Sequence, residues 1–134
     1  MTFSLEYFDL PAFVQSTLAE DLGPTGRDVT SESVIPADMV FAGVMDSRDA
    51  IIVAGLPIAV AFFHYLDPAM EIEILADEGA RVPAGSDLMR LKGNARAMLT
   101  AERSALNTAQ HLSGIATMTR KYVDAIEGTG CTLL

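Results

Sequence analysis

The sequence predicts an α+β fold in which short antiparallel strands alternate with helices, and three observations carry that prediction. Apolar residues recur at helical spacing from Leu10 to Leu22. Between Met39 and Lys92 the period shortens to that of strands, broken by one helical stretch. From Ala95 to about Glu127 the helical period returns and is sustained.

In chain order, Asp9 is placed as an N-cap. Phe8 at N′ and Phe13 at N4 are set for a hydrophobic staple, and Gly23-Pro24 stops the helix. Glu20 and Asp21 have no third ligand at a fixed offset and read as a solvated acidic end. Gly23 to Pro36 reads as a long ordered loop, pinned by Val29, Val34 and Ile35 and braced by side-chain hydrogen bonds from Asp28 and Thr30. It lacks the Gly-Lys-Ser/Thr of a phosphate loop.

Residues 39–46 and 50–54 are expected to pair as an antiparallel hairpin around Ser47-Arg48-Asp49. Pro57 suits the first turn of a helix ending near Leu66, with Ile58, Ala61, Phe62 and Tyr65 as its apolar face. His64 has no metal partner at i±4 and reads as a packed neighbour. Glu71 to Ile74 alternate strictly, and turns at 77–79 and 83–85 bracket Arg81-Val82 before a strand over 88–92. This run is similar to half of a lipoyl or biotinyl carrier domain. Such a carrier takes its group on a lysine at an exposed hairpin tip, and this tip reads Asp77-Glu78-Gly79-Ala80, which argues against a covalent carrier.

Asn94 is expected to cap the last helix, with Ser113-Gly114 as the place where it could break. At about 100° per residue, Arg103, Asn107, Gln110 and Gly114 share one stripe, flanked by His111. Arg96 joins that stripe if the helix is continuous, as an auxiliary anion contact or a plain surface arginine. Ala101, Ala105, Leu106, Ala109, Leu112 and Ala116 form the opposite side. Beyond the glycine turn at 128–130, Cys131 to Leu134 read as an apolar strand opening a parallel unit, with Cys131 as buried filler.

The totals narrow the function. Of 134 residues, 50% are hydrophobic and the net charge is −9, ordinary for one globular domain and opposed to general nucleic-acid binding. One cysteine excludes an internal disulfide, no signal sequence is evident, and the longest apolar run is too short to cross a bilayer. A cytoplasmic protein without membrane or nucleic-acid partners is expected.

The run Glu102-Arg103-Ser104-Ala105-Leu106-Asn107 with Gln110-His111-Leu112-Ser113-Gly114-Ile115-Ala116-Thr117 closely resembles the signature of the quinolinate phosphoribosyltransferase family, the carboxylating nicotinate-nucleotide diphosphorylases. Glu20 to Gly23, Asp28 to Ser31, Gly55, Asp77 to Gly79, Gly85 and Gly93 to Arg96 support it. The resemblance implies an N-terminal α/β-hammerhead-like domain over 1–110, with 111–134 leading into an α/β barrel that this chain does not include. It implies a pentosyltransferase that joins quinolinate to phosphoribosyl pyrophosphate, releasing CO2 and pyrophosphate, for NAD biosynthesis. A homodimer is implied, in which Arg103 reaches the quinolinate carboxylates of the neighbouring subunit. Arg96 and His111 are lesser candidates for substrate contact. Asn107, Gln110 and Ser113 are expected to orient the helix, whose small-residue back would seat on the barrel. The resemblance places Mg2+ and the catalytic residues in the barrel, so this chain is expected to hold neither and to be inactive alone. A molybdate-transport-associated paralogue and a stand-alone interaction domain are the alternatives.

Overall fold

The protein's structure, a computed structural model, describes residues 6–134. Helix α1 spans Leu10–Leu22. Its N-cap is Asp9, whose Oδ1 accepts from the Ala12 N–H at 3.0 Å. The staple forms as expected, with the Phe8 and Phe13 rings 5.2 Å apart, and Val14 and Leu18 face the core.

The segment expected to be a loop is instead a short 3-10 turn, Gly23–Thr25, and a second helix α2, Val29–Val34. Local propensity hid α2, because Thr and Ser are weak helix formers and six residues give too few turns for a periodic signal. Asp28 nucleates it by accepting from Ser31 N at 3.0 Å and Ser31 Oγ at 2.6 Å. Val29 and Val34 do not pin the segment, being 62% and 72% exposed; the buried residue is Ser31.

Strand β1, Val40–Ser47, does not form the expected hairpin with β2, Ile51–Ile52. It pairs antiparallel with β5, Ser86–Asn94, from Val40↔Asn94 to Met45↔Met89, then slips one residue to Asp46↔Asp87. Strand β3, Glu71–Ile74, lies on the other side of β5, giving the order β1-β5-β3, while β2 pairs with β4, Arg81–Val82. The long ladder to β5 outweighs a two-residue hairpin. The turn itself is tied to β5's start, since Gly85 N donates to Ser47 O at 2.6 Å. One sheet face carries Met45, Met89 and Leu91 into the core. On the other, Glu73, Arg90 and Val44 lie side by side, as do Glu71, Lys92 and Ala42.

Helix α3, Leu56–Leu66, begins behind Gly55, whose φ of +93° favours glycine and which offers no side-chain cap. The cap comes from elsewhere in the chain. Glu78 accepts from Gly55 N at 2.9 Å and Leu56 N at 2.8 Å, an anion set at a helix N-terminus. Residues 77–80 are therefore folded in rather than forming a free tip, and Gly79 N and Ala80 O also bond Val53. The buried face of α3 is Leu56, Ile58, Ala59, Phe62 and Phe63. Tyr65, expected on it, is 50% exposed. His64 lies at the surface, its Nε2 3.1 Å from Met70 O.

Helix α4, Ala95–Ile126, is 32 residues long and continues without a break through Ser113-Gly114. Asn94 caps it as expected. The residue 110/111 boundary falls inside this helix. Ala101, Ala105 and Ala109 are buried against α3 and the strands of the same domain, so the small-residue back is occupied here and is not a seat for a barrel. The approach to α4 is close at Gly55, where a Cβ would lie 2.7 Å from Leu112 Cδ1 and 3.5 Å from Ala109 Cα. Residues 131–134 form no strand with the described residues, and Cys131 is exposed rather than buried.

Candidate functional site: the outer ridge of the long helix

Hydrogen bonds from the two sides of α4 to the rest of the domain fix how the helix sits. Toward α1 and α2, Arg96, Thr100 and Ser104 follow one another at intervals of four. The Arg96 guanidinium donates to Ile35 O at 2.7 Å and Glu32 O at 3.1 Å, covering the end of α2. Thr100 Oγ1 donates to Asp28 Oδ2 at 2.9 Å, and the buried Ser104 donates to Asp21 Oδ2 at 2.8 Å. Asp21 is thus a structural acceptor and not merely a solvated end. Toward β2, Ser113 Oγ accepts from Ala54 N at 3.0 Å and lies 3.1 Å from Ala54 O, and Thr117 Oγ1 accepts from Ile52 N at 2.8 Å. Ser113 orients the helix, as the sequence predicts.

Electrostatics follow these contacts. Asp28 is held below the usual carboxylate range chiefly by the Ser31 hydroxyl and backbone N–H, with Thr100 adding to them. Glu32 is lowered chiefly by its hydrogen bond to Arg27, and Arg96 adds to it.

What remains outward is a ridge. Arg103, Asn107, Gln110 and Gly114 are all exposed, and so is His111 beside them. A hollow of about 690 Å³ lies on the β side, between α4 and the β1–β2 turn, with Val44, Met45, Arg48, Glu102, Leu106 and Gln110 among its lining. Another, of about 700 Å³, lies on the α1 side and is largely apolar, lined by Phe8, Phe13, Ile58, Asn107, His111 and Leu112.

Arginine usage separates structure from the ridge. The nine basic residues comprise seven arginines and two lysines. Arg27, Arg81, Arg90 and Arg120 pair with carboxylates, and Arg96 is engaged with carbonyls. Arg48 and Arg103 make no ion pair or side-chain hydrogen bond with the described residues. Of the three predicted candidates, Arg103 and His111 lie on the outer surface of α4, and Arg96 is committed to α2. Arg48 escaped prediction because a charged turn flanked by two aspartates carries no sequence signal of what it stands beside. Among the described residues no group of three or more His, Cys, Asp or Glu gathers to hold a metal ion.

Fold and ridge together define an α+β domain that leaves one face of a long helix exposed, with an arginine in its first third that makes no ion pair with the described residues. The model for the quinolinate phosphoribosyl transferase N-terminal domain matches residues 28–113, and the chain belongs to that family. It is 52% identical over 126 residues to a Synechocystis protein named a probable nicotinate-nucleotide pyrophosphorylase (carboxylating), covering 94% of this chain and 42% of that one. It is 39% identical over 118 residues to the chloroplastic nicotinate-nucleotide pyrophosphorylase (carboxylating) of Arabidopsis thaliana, covering 88% of this chain and 34% of the relative. Among solved structures, NadC from Streptococcus pyogenes superposes with a TM-score of 0.86 at 28% identity, over 93% of this chain and 44% of that one. The chain thus spans less than half the length of each of these relatives.

Proposed function

We propose that this chain is the N-terminal part of a quinolinate phosphoribosyltransferase, acting with an α/β barrel. The reaction is the transfer of the phosphoribosyl group of phosphoribosyl pyrophosphate to quinolinate, with loss of pyrophosphate and CO2, giving nicotinate mononucleotide for NAD synthesis. Family membership supports the activity. The observation that carries the chain's own part in it is Arg103, exposed and without an ion pair among the described residues, on a helix where Arg96, Thr100, Ser104 and Ser113 hold the fold.

In this reading the enzyme is a cytoplasmic homodimer, and Arg103 of one subunit faces the site of the other. A guanidinium is permanently charged and planar, and so matches a carboxylate at two points. Quinolinate carries two carboxylates. Departure of pyrophosphate leaves an oxocarbenium-like ribose, and the chain's contribution is to position an anionic reactant and compensate its charge. Asn107 and Gln110 border the arginine as neutral hydrogen-bonding groups, and His111 lines the neighbouring apolar hollow. Mg2+ belongs, in this proposal, to residues beyond this chain.

The test is a chimera in which residues 9–134 replace the matching part of the Synechocystis relative. Formation of nicotinate mononucleotide dependent on quinolinate is expected. Arg103→Ala should lower kcat/KM for quinolinate by about 10- to 100-fold, the loss typical of a charged hydrogen bond, with the oligomeric state unchanged. Unaltered quinolinate kinetics would remove Arg103 from the site.

A further inference from the structure

Ser104, the residue next to Arg103, is only 4% exposed, and Ala101 and Ala105 near it are fully buried. Alanine would meet the same need for small volume at position 104, so packing alone does not require the hydroxyl. What the hydroxyl adds is a directed bond, from Ser104 Oγ to Asp21 Oδ2 at 2.8 Å. Asp21 is in turn placed by the core. It follows Val14 and Leu18 at i+7 and i+3 on one stripe of α1, and both of those residues are buried. The bond therefore joins the packed face of α1 to the turn of α4 that carries Arg103.

Where this bond sits along α4 decides what it controls. Thr100 and Arg96 tie the helix about one and two turns earlier, and the next tie is at Ser113, roughly 13–14 Å further along the axis. Among the described residues, α4 makes no side-chain hydrogen bond to the rest of the domain between Ser104 and Ser113. Ser104 is thus the tie nearest to Arg103. A guanidinium about 8 Å from the helix axis swings by about 1.4 Å when the helix turns by about 10°. Small side chains such as Ala101, Ala105 and Ala109 present little to interlock against such a turn, whereas a hydrogen bond to a fixed carboxylate resists it. A displacement of about 1 Å at a substrate contact can cost about 100-fold in rate.

We propose that Asp21 is a positioning residue for quinolinate recognition: through Ser104 it fixes the rotation of α4 that aims Arg103 at a substrate carboxylate. The inference rests on the proposed function and adds to it a residue of another element, one that need not touch substrate. This role is separable from a general contribution to stability. A residue that only holds the fold affects both substrates, and does so whether or not Arg103 is present.

Kinetics in the chimera test it. Asp21→Ala and Ser104→Ala are each expected to raise KM for quinolinate about three- to tenfold, with KM for phosphoribosyl pyrophosphate changed by less than about twofold. Asp21→Asn keeps an oxygen that can accept from Ser104 and should restore most of the loss. In an Arg103→Ala background neither substitution should alter quinolinate kinetics further, since a group that acts through Arg103 then has nothing to aim. Equal losses with and without Arg103, or equal losses for both substrates, overturn the inference and leave the proposed function standing. So does an unchanged KM for quinolinate in both variants where Arg103→Ala impairs quinolinate turnover. If Arg103→Ala itself has no effect, the proposed function falls and the inference falls with it. Ser104→Ala removes a single oxygen atom, and it carries the test alone should Asp21→Ala not fold.

Discussion

Asp28 shows how one carboxylate can join two elements through three hydrogen bonds. Its oxygens accept from Ser31 N and Oγ in α2 and from Thr100 of α4, and these bonds favour the ionised form, so its pKa lies below the ordinary 3.8. A carboxylate lowered on folding stabilises the native state above its unfolded pKa, and that stabilisation is lost as pH falls through the folded value. Stability should therefore decline with acidification below about pH 5, where the unfolded chain begins to take up the proton more readily than the native one. Asp28→Asn keeps an acceptor for the α2 cap and should flatten this decline. Asp28→Ala should also cost about 1–2 kcal/mol at neutral pH through loss of the cap. Urea unfolding of the three proteins between pH 3 and 7 is the measurement, and parallel pH profiles would show that Asp28 is not the group responsible.

At the scale of elements, α4 serves as a spine, with hydrogen bonds on two sides and an open front. Ser113→Ala removes the acceptor for Ala54 N and the partner of Ala54 O at once. A loss of about 1–3 kcal/mol is expected from leaving these groups without their partner, read as a lower urea midpoint at constant slope. A change within error would mean that water replaces the serine. Local chemistry made the helix starts legible in the sequence: Asp9, Pro57 and Asn94 each stand where a cap or first turn requires them. Strand pairing was less so. The charged turn at Ser47-Arg48-Asp49 suggested a hairpin, but β1 finds its partner in β5, some forty residues on, through a ladder that no local signal encodes. The candidate site divides in the same way. Arg103 was legible because its helix is continuous and periodic, whereas Arg48 became visible only when tertiary structure set its turn beside α4, and Arg96 proved to be a clasp on α2.

For the whole molecule, the back of α4 is buried against its own domain while its front stays exposed, which leaves Arg103 open to a second surface. A closed two-fold dimer can bring that surface from a second subunit, and then each site is built from both chains. Mixing at equal ratio tests this geometry in the chimera: one subunit carries Arg103→Ala with an intact barrel, the other an intact Arg103 with an inactivated barrel. Random pairing makes half of the dimers mixed. If the arginine acts across the interface, each mixed dimer recovers one site, and total activity reaches about a quarter of wild type. If it acts within its own chain, no dimer in the mixture has a complete site and activity stays at the level of the separate mutants. The two outcomes differ in kind as well as amount, because recovery appears only after subunits exchange and should rise at the rate of that exchange.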